Sequence, residues 1–172
     1  MNVKFLNPFV EAATEVIAIE TGLQLQRGDL QLDKTPYHTN DITVIIAMVG
    51  SVVGNVLYGL PTPLAVALAS RMLGEKLDSF DALAQSGIAE LGNVITGRAS
   101  VKLAEAGYES TISPPTMVAG KDIMISTLDR PRLVVPFSSE YGPFTIHLAL
   151  REGSGVVLPS AKIPVPHRPD IH

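Results

Sequence analysis

The stretch GIAELGNVITGRAS, residues 87–100, puts Glu90 and Asn93 one helical turn apart, with Gly97 interrupting the helix a turn further on. A carboxylate pairs with a cation, whereas a carboxamide is neutral and offers both a hydrogen-bond donor and an acceptor. A Glu-x-x-Asn pair also recurs by chance on ordinary helices, so these two residues by themselves leave open what the face is for. Other polar combinations in the chain carry less. His38, His147, His167 and His172 share no metal-ligand spacing, so no metal site is expected. Ser138, Ser139 and Glu140 lack the G-x-S-x-G context or His/Asp arrangement that would activate a serine. The glycine-rich VGSVVGN, residues 49–55, has neither the following capped helix nor the lysine of a phosphate loop.

The helix that presents Glu90 must be long. A helical pattern runs from Asp78 or Ser79 without a proline to LAEAGYES, where Gly107 occupies the place of a left-handed terminating residue. That predicts about 28 residues, or roughly 42 Å. With Glu90 at zero on a helical wheel, Phe80, Ala84, Ile88, Leu91, Ile95 and Ala106 fall between about 80° and 160°, a core-facing stripe. Ser86, Asn93, Gly97 and Ala104 fall between about −20° and −60°, away from that stripe. A face open only to water would carry Lys, Glu, Arg and Gln. This one is small apart from Glu90 and Asn93, and Gly97 costs about 1 kcal/mol relative to Ala with no kink or cap to require it. The small face therefore predicts a second surface pressed closely against it. On the wheel alone, that surface is a partner or equally the first or second helix of the same chain.

The remaining elements follow from pattern. Asn7 and Pro8 have the cap and first-turn residues of a helix over 8–20 that Gly22 stops. LQLQRGDLQLDK alternates with period two, predicting strand with a turn or bulge near Gly28. Residues 42–60, ITVIIAMVGSVVGNVLYGL, are uncharged and near the length of a membrane span, but Val and Ile dominate and Gly50 and Gly54 flank a turn, so a buried hairpin is expected instead. Thr62 as cap, Pro63 at the first position and Gly74 as stop predict a second helix. After the long helix, Pro114 and Pro115 force an extended or turned path, and DIMIST, RLVVPFSSE and PFTIHLAL read as strands, the last two joined at EYGP. Helices early and central with strands in local groups predict an α+β fold: a largely antiparallel sheet with three helices, the long one carrying the Glu/Asn pair.

With 172 residues and 46% hydrophobic content, the chain can bury one core, so a single domain is expected over 1–155, followed by a loosely held proline-rich tail over 156–172. Thirteen basic against seventeen acidic residues give net charge −4 without a Lys/Arg cluster, which argues against nucleic acid as partner. The lack of cysteine excludes disulfide and thiolate chemistry, and MNVKFLNPFVEAA has no signal-peptide pattern, so a cytoplasmic location is expected.

SGIAELGNVITGRASVKLAEAGYESTISPPTMVAG resembles the CheC/CheX/FliY family of bacterial chemotaxis proteins. The family pattern has Asp or Ser, three residues, Glu, two residues, Asn, and later a proline. Ser86, Glu90 and Asn93 match it, and Pro114 and Pro115 stand in the proline's region. The opening NPF helix, the helix ending RMLGE and the SPPT step extend the likeness, and a single motif in the chain is most like the CheX branch. The resemblance implies a CheC/CheX-like fold, a homodimer, and removal of phosphate from the phospho-aspartate of a CheY-type response-regulator receiver. It implies that Asn93 positions a water in line with phosphorus, that Glu90 docks on the receiver's active-site lysine, and that Ser86, Gly97 and Ala104 let the helix lie flat on the receiver. Mg²⁺ is then expected on the receiver and no cofactor on this chain. A receiver-binding scaffold of the same fold without catalysis is the alternative reading, and a small-molecule sensor is a third.

Overall fold

The computed structural model describes residues 3–128 and 130–155. In chain order these form α1 (Leu6–Thr21), β1 (Gln26–Arg27), β2 (Gln31–Asp33), β3 (Tyr37–His38), β4 (Ile42–Gly50), β5 (Val52–Leu60), α2 (Thr62–Leu73), α3 (Ala82–Glu105), β6 (Ser110–Ile112), β7 (Thr116–Ala119), β8 (Met124–Ile125), β9 (Arg132–Ser138) and β10 (Phe144–Glu152). One antiparallel sheet runs β1-β9-β10-β5-β4-β6, with β2 also on β9 and β7 also on β4, while β3 and β8 pair separately. The expected α+β architecture with three helices is therefore observed. The proline-rich tail expected over 156–172, with His167 and His172, lies outside the described residues.

Residues 42–60 form the hairpin that their Val/Ile content predicts, with Ile42 opposite Leu60 and Met48 opposite Gly54. Gly54 has φ 142°, and a Cβ there would run into the Ala149 carbonyl, so the close approach of β10 requires glycine. Alternation puts Val44, Tyr58, Ile146 and Val135 in one cross-strand row on the helix-facing side, all in the buried core with Ile88, Leu91 and Ile95 of α3. Each such apolar side chain contributes roughly 1.5–3 kcal/mol on full burial. Among the described residues, no helix is long and apolar enough to cross a membrane.

Helix starts differ from expectation for physical reasons. α1 begins before Asn7, because a 3₁₀ turn over Val3–Phe5 leads into it and buried Phe5 and Leu6 draw that turn onto the core. Asn7 is thus inside the helix rather than its cap. Thr62 is the first residue of α2, and its N–H is capped from another element: the Asp41 carboxylate accepts it at 2.7 Å. That bond, with help from Lys121, holds the Asp41 carboxyl below the usual carboxylate range. Residues 110–119, expected only to be extended or turned around Pro114 and Pro115, supply the edge strands β6 and β7.

The opposite side of the sheet holds a buried polar network. Arg132, 1% exposed, donates from Nη1 to His147 Nδ1 (2.7 Å) and from Nη2 to Asp33 Oδ2 (3.0 Å) and the Thr35 carbonyl (2.7 Å). Because Nδ1 accepts, the ring proton sits on Nε2 and points at Thr145 Oγ1, 3.2 Å away. The Tyr37 ring lies 4.2 Å from the imidazole, centroid to centroid. Burial, and then the guanidinium, push the His147 pKa down from 6.5 to about 4. The unfolded chain takes up this proton near pH 6.5 and the folded chain only near 4, so the native state loses stability as pH falls through that window. Urea titrations at pH 7 and pH 5 should differ by about 2 kcal/mol from this group, and His147→Gln should remove most of that difference.

Candidate functional site

α3 is fixed at both ends. Asp81 Oδ1 accepts the Ala84 N–H (2.9 Å) at the start. At the far end Gly107, φ 93°, lets Tyr108 N–H reach the Leu103 carbonyl (2.8 Å) and Gly107 N–H the Ala104 carbonyl (2.9 Å). The helix is shorter than predicted at its start, since Phe80 lies before it. Its buried residues are Ala84, Ile88, Leu91, Gly92, Ile95, Thr96, Ala99 and Leu103. On the same wheel they occupy about 100° to 240°, an arc centred nearly opposite Glu90. The stripe inferred from sequence marked only one half of that arc, and Ala106, placed in it, is exposed.

Every residue of the predicted site lies on the other side. Glu90, Ser86 and Ala104 are exposed, and Asn93 and Gly97 are half-buried on the flank. From Ser86 to Ala104 the face runs about 27 Å along the helix. Among the described residues, neither Glu90 nor Asn93 has a side-chain hydrogen bond or ion pair. A carboxylate and an amide are thus offered to solvent together.

A Cβ built at Gly87 would lie 3.7 Å from Ala69 of α2, an ordinary contact. At Gly97 the nearest atom to such a Cβ is Ile112 Cδ1 at 4.0 Å, so nothing among the described residues needs a glycine there. α1 approaches α3 through Arg98 to Glu15 (2.7 Å) and Lys102 to Glu11 (3.2 Å) and Glu15 (3.3 Å). The hydrogen bonds from Arg98 and then Lys102 hold the Glu15 carboxyl below its ordinary range. Beside these pairs an open groove of about 530 Å³ follows Val94, Gly97 and Val101 on α3 and Val16 and Ile19 on α1. Val101 and Ile19 are exposed apolar side chains.

Directly beneath the motif lie residues that the sequence reading passed over. Gly92 sits on β4 and β5, and Thr96 Oγ1 donates to the Gly92 carbonyl (2.7 Å) while contacting the Tyr58 hydroxyl (2.7 Å). The signal was present, because a glycine and a threonine four apart on the core side of a helix mark a close approach with a polar tie. Elsewhere, the serines set aside earlier serve structure: Ser139 Oγ donates to the Gly142 carbonyl in the β9–β10 turn (2.7 Å). No group of three His, Asp or Glu side chains suited to a metal occurs among the described residues.

Because Gly97 has room for a methyl group and sits inside a helix, Gly97→Ala should raise the unfolding free energy by up to about 1 kcal/mol, measured by urea or thermal denaturation. A destabilised variant would mean that the chain itself uses this position.

Comparison with known proteins places this geometry. The family model described as chemotaxis phosphatase CheX matches residues 42–138, which include the hairpin, α3 and the whole Glu/Asn motif. The CheY-P phosphatase CheX of Thermotoga maritima is 28% identical over 158 residues, covering 89% of this chain and 99% of that protein. A CheC-like superfamily protein from Shewanella sp. PV-4 is similar in structure with TM-score 0.80 and 32% identity, over 88% of this chain and 99% of that one. The CheX–CheY–BeF₃–Mg²⁺ complex from Borrelia burgdorferi is similar with TM-score 0.73 and 27% identity, over 88% of this chain and all (100%) of the matched chain. With the family model spanning more than half of the sequence and the motif helix at its centre, the chain belongs to the CheX chemotaxis-phosphatase family.

Proposed function

We propose that this protein removes phosphate from the phospho-aspartate of a CheY-type receiver domain, with α3 as the docking helix. The observation that carries the proposal is the pair Glu90 and Asn93, one on the side of α3 farthest from the core and the other on its flank, neither with a side-chain partner among the described residues. The T. maritima relative bears the name CheY-P phosphatase, and the B. burgdorferi neighbour is a complex with CheY. Both support a phosphorylated receiver as substrate.

An acyl phosphate is already activated, so hydrolysis needs an oriented water rather than a strong base. The Asn93 amide oxygen accepts a hydrogen bond from the water while its N–H points toward a phosphoryl oxygen, its neutrality avoids repelling the phosphate, and the water's proton ends on the inorganic phosphate. The water oxygen bonds to phosphorus, the bond from phosphorus to the aspartate oxygen breaks, and the carboxylate leaves with inorganic phosphate as the other product. Glu90 pairs with a receiver lysine and fixes the register of docking. Ser86, Gly97 and Ala104 keep the ridge low enough for a flat approach. Mg²⁺ belongs to the receiver in this scheme, where it would neutralise phosphoryl charge; this chain contributes no ligand to it. A hundredfold acceleration corresponds to about 2.7 kcal/mol, within what orientation supplies.

A homodimer, implied by the family resemblance, forms part of the proposal. Both outer edges of the sheet are short, β1 and β2 at one and β6 and β7 at the other, so an edge-to-edge join would rest on few backbone bonds. Sedimentation equilibrium tests it, and a monomer at micromolar concentration would refute it.

Phosphorylated receivers from the source organism, screened for accelerated phosphate loss, test the function. Asn93→Ala should slow turnover about a hundredfold while binding of the beryllofluoride-loaded receiver persists. Glu90→Ala should chiefly weaken that binding. Undiminished rates in both variants overturn the assignment, and binding without accelerated phosphate loss makes the chain a docking module instead.

A further inference from the structure

Asn93 stands on the shoulder of α3, between its buried arc and its outward ridge, and its side chain is short. Any lift or rotation of that helical turn moves the amide relative to a bound phosphoryl group. The residue before Asn93 is where the helix meets the sheet most closely. A Cβ built on Gly92 would lie 2.9 Å from Val44 Cγ1 and 3.5 Å from Tyr58 Cδ2. The space left between helix and sheet there, bounded also by Leu60, Ile88 and Phe144, is only about 10 Å³. A side chain at Gly92 therefore forces a shift, either of Val44 or of the helical turn.

A directional tie accompanies the close approach. Thr96 has one hydroxyl proton, which it gives to the Gly92 carbonyl, so the buried Tyr58 hydroxyl must be the donor to Thr96 Oγ1. The relay runs from β5 through the phenol and the threonine to the carbonyl of the residue preceding Asn93. Its origin is anchored, because Tyr58 pairs with Val44 on one side and Ile146 on the other and stacks on Phe144 with centroids 6.0 Å apart. Apolar packing alone would set the depth of α3 and leave its rotation soft. A bond of fixed direction to one carbonyl sets the rotation too.

We propose that Gly92, Thr96 and Tyr58 form a seat that fixes the depth and rotation of α3, making them positioning residues for Asn93 in the phosphatase reaction. The inference rests on the function proposed above. It assigns to buried groups, none able to touch the receiver, control over turnover rather than over binding.

The test measures kcat and KM with an acetyl-phosphate-phosphorylated CheY-type receiver, and affinity for the same receiver loaded with beryllofluoride and Mg²⁺. Gly92→Ala should lower kcat about tenfold or more with KM and affinity little changed, as expected of a misplacement by a fraction of an ångström to one ångström. Adding Val44→Ala, which removes the atom that the new Cβ meets, should recover most of that loss. Tyr58→Phe keeps the ring and should lower kcat several-fold. Thr96→Ser keeps the hydroxyl and should retain turnover, whereas Thr96→Val should not. Wild-type kcat in both Gly92→Ala and Tyr58→Phe, with Asn93→Ala still impaired, overturns the seat. An equal loss of kcat and affinity in Tyr58→Phe overturns it as well, since that marks general damage to the fold. If Asn93→Ala itself has wild-type kcat, the functional reading fails, and a crystal structure of Gly92→Ala with α3 unmoved against β4 would dispose of the seat independently.

Discussion

The contact between the Gly92–Thr96 strip of α3 and the β4–β5 hairpin is the constraint on which the rest of the structure depends. A helix that rests on a sheet through a glycine comes nearer than one separated by larger side chains, and it buries a broad arc around the contact. Glu90 lies opposite that arc because of the helical period, so the depth of the contact decides which residues face away from the core. Burial and presentation are two results of one rotation.

The two sides of the sheet divide the work. Toward the helices the strands offer Val44, Tyr58, Val135 and Ile146, and the phenol oxygen among them is satisfied by Thr96. Away from them, Arg132 and His147 are buried with Asp33, Thr35 and Tyr37 closing over them. Burying a guanidinium is costly unless its donors are met; Asp33 and Thr35 from the β2–β3 segment meet Nη2 and His147 meets Nη1, while Nε has no partner among the described residues. That network ties the start of the chain's strand region to β9 and β10, across the sheet from the motif, so its response to acid concerns the stability of the scaffold and not the chemistry of α3.

The proposed site is chemically modest, which would suit the activated acyl phosphate proposed as its substrate. An amide and a carboxylate that have no partner among the described residues can orient and dock; they do not supply a strong base or a covalent nucleophile. Catalysis by orientation makes heavy demands on placement, and a helix pinned at Asp81, at Gly107 and at the sheet is a stiff support for it. The charged pairs from Arg98 and Lys102 to α1 brace the same helix from the side while leaving the ridge at Gly97 uncovered.

Much of this was legible in the residues. The Val/Ile run with Gly50 and Gly54 favoured a buried hairpin over a membrane span, the stops at Gly22, Gly74 and Gly107 are local backbone requirements, and the smallness of Ser86, Gly97 and Ala104 set one face of α3 apart. Local pattern misjudged the helix starts, because the cap of α2 comes from Asp41 and the first turn of α1 is drawn inward by Phe5. It also took half of the buried arc for the whole, since a wheel has no knowledge of what the helix rests on. The sequence by itself determined the period, the breaks and the Glu/Asn face, all of which depend on residues within a turn or two of one another. Only the tertiary structure decided how closely α3 approaches the sheet and which phenol holds it there, because Tyr58 and Thr96 are 38 residues apart and meet only when the strands have paired.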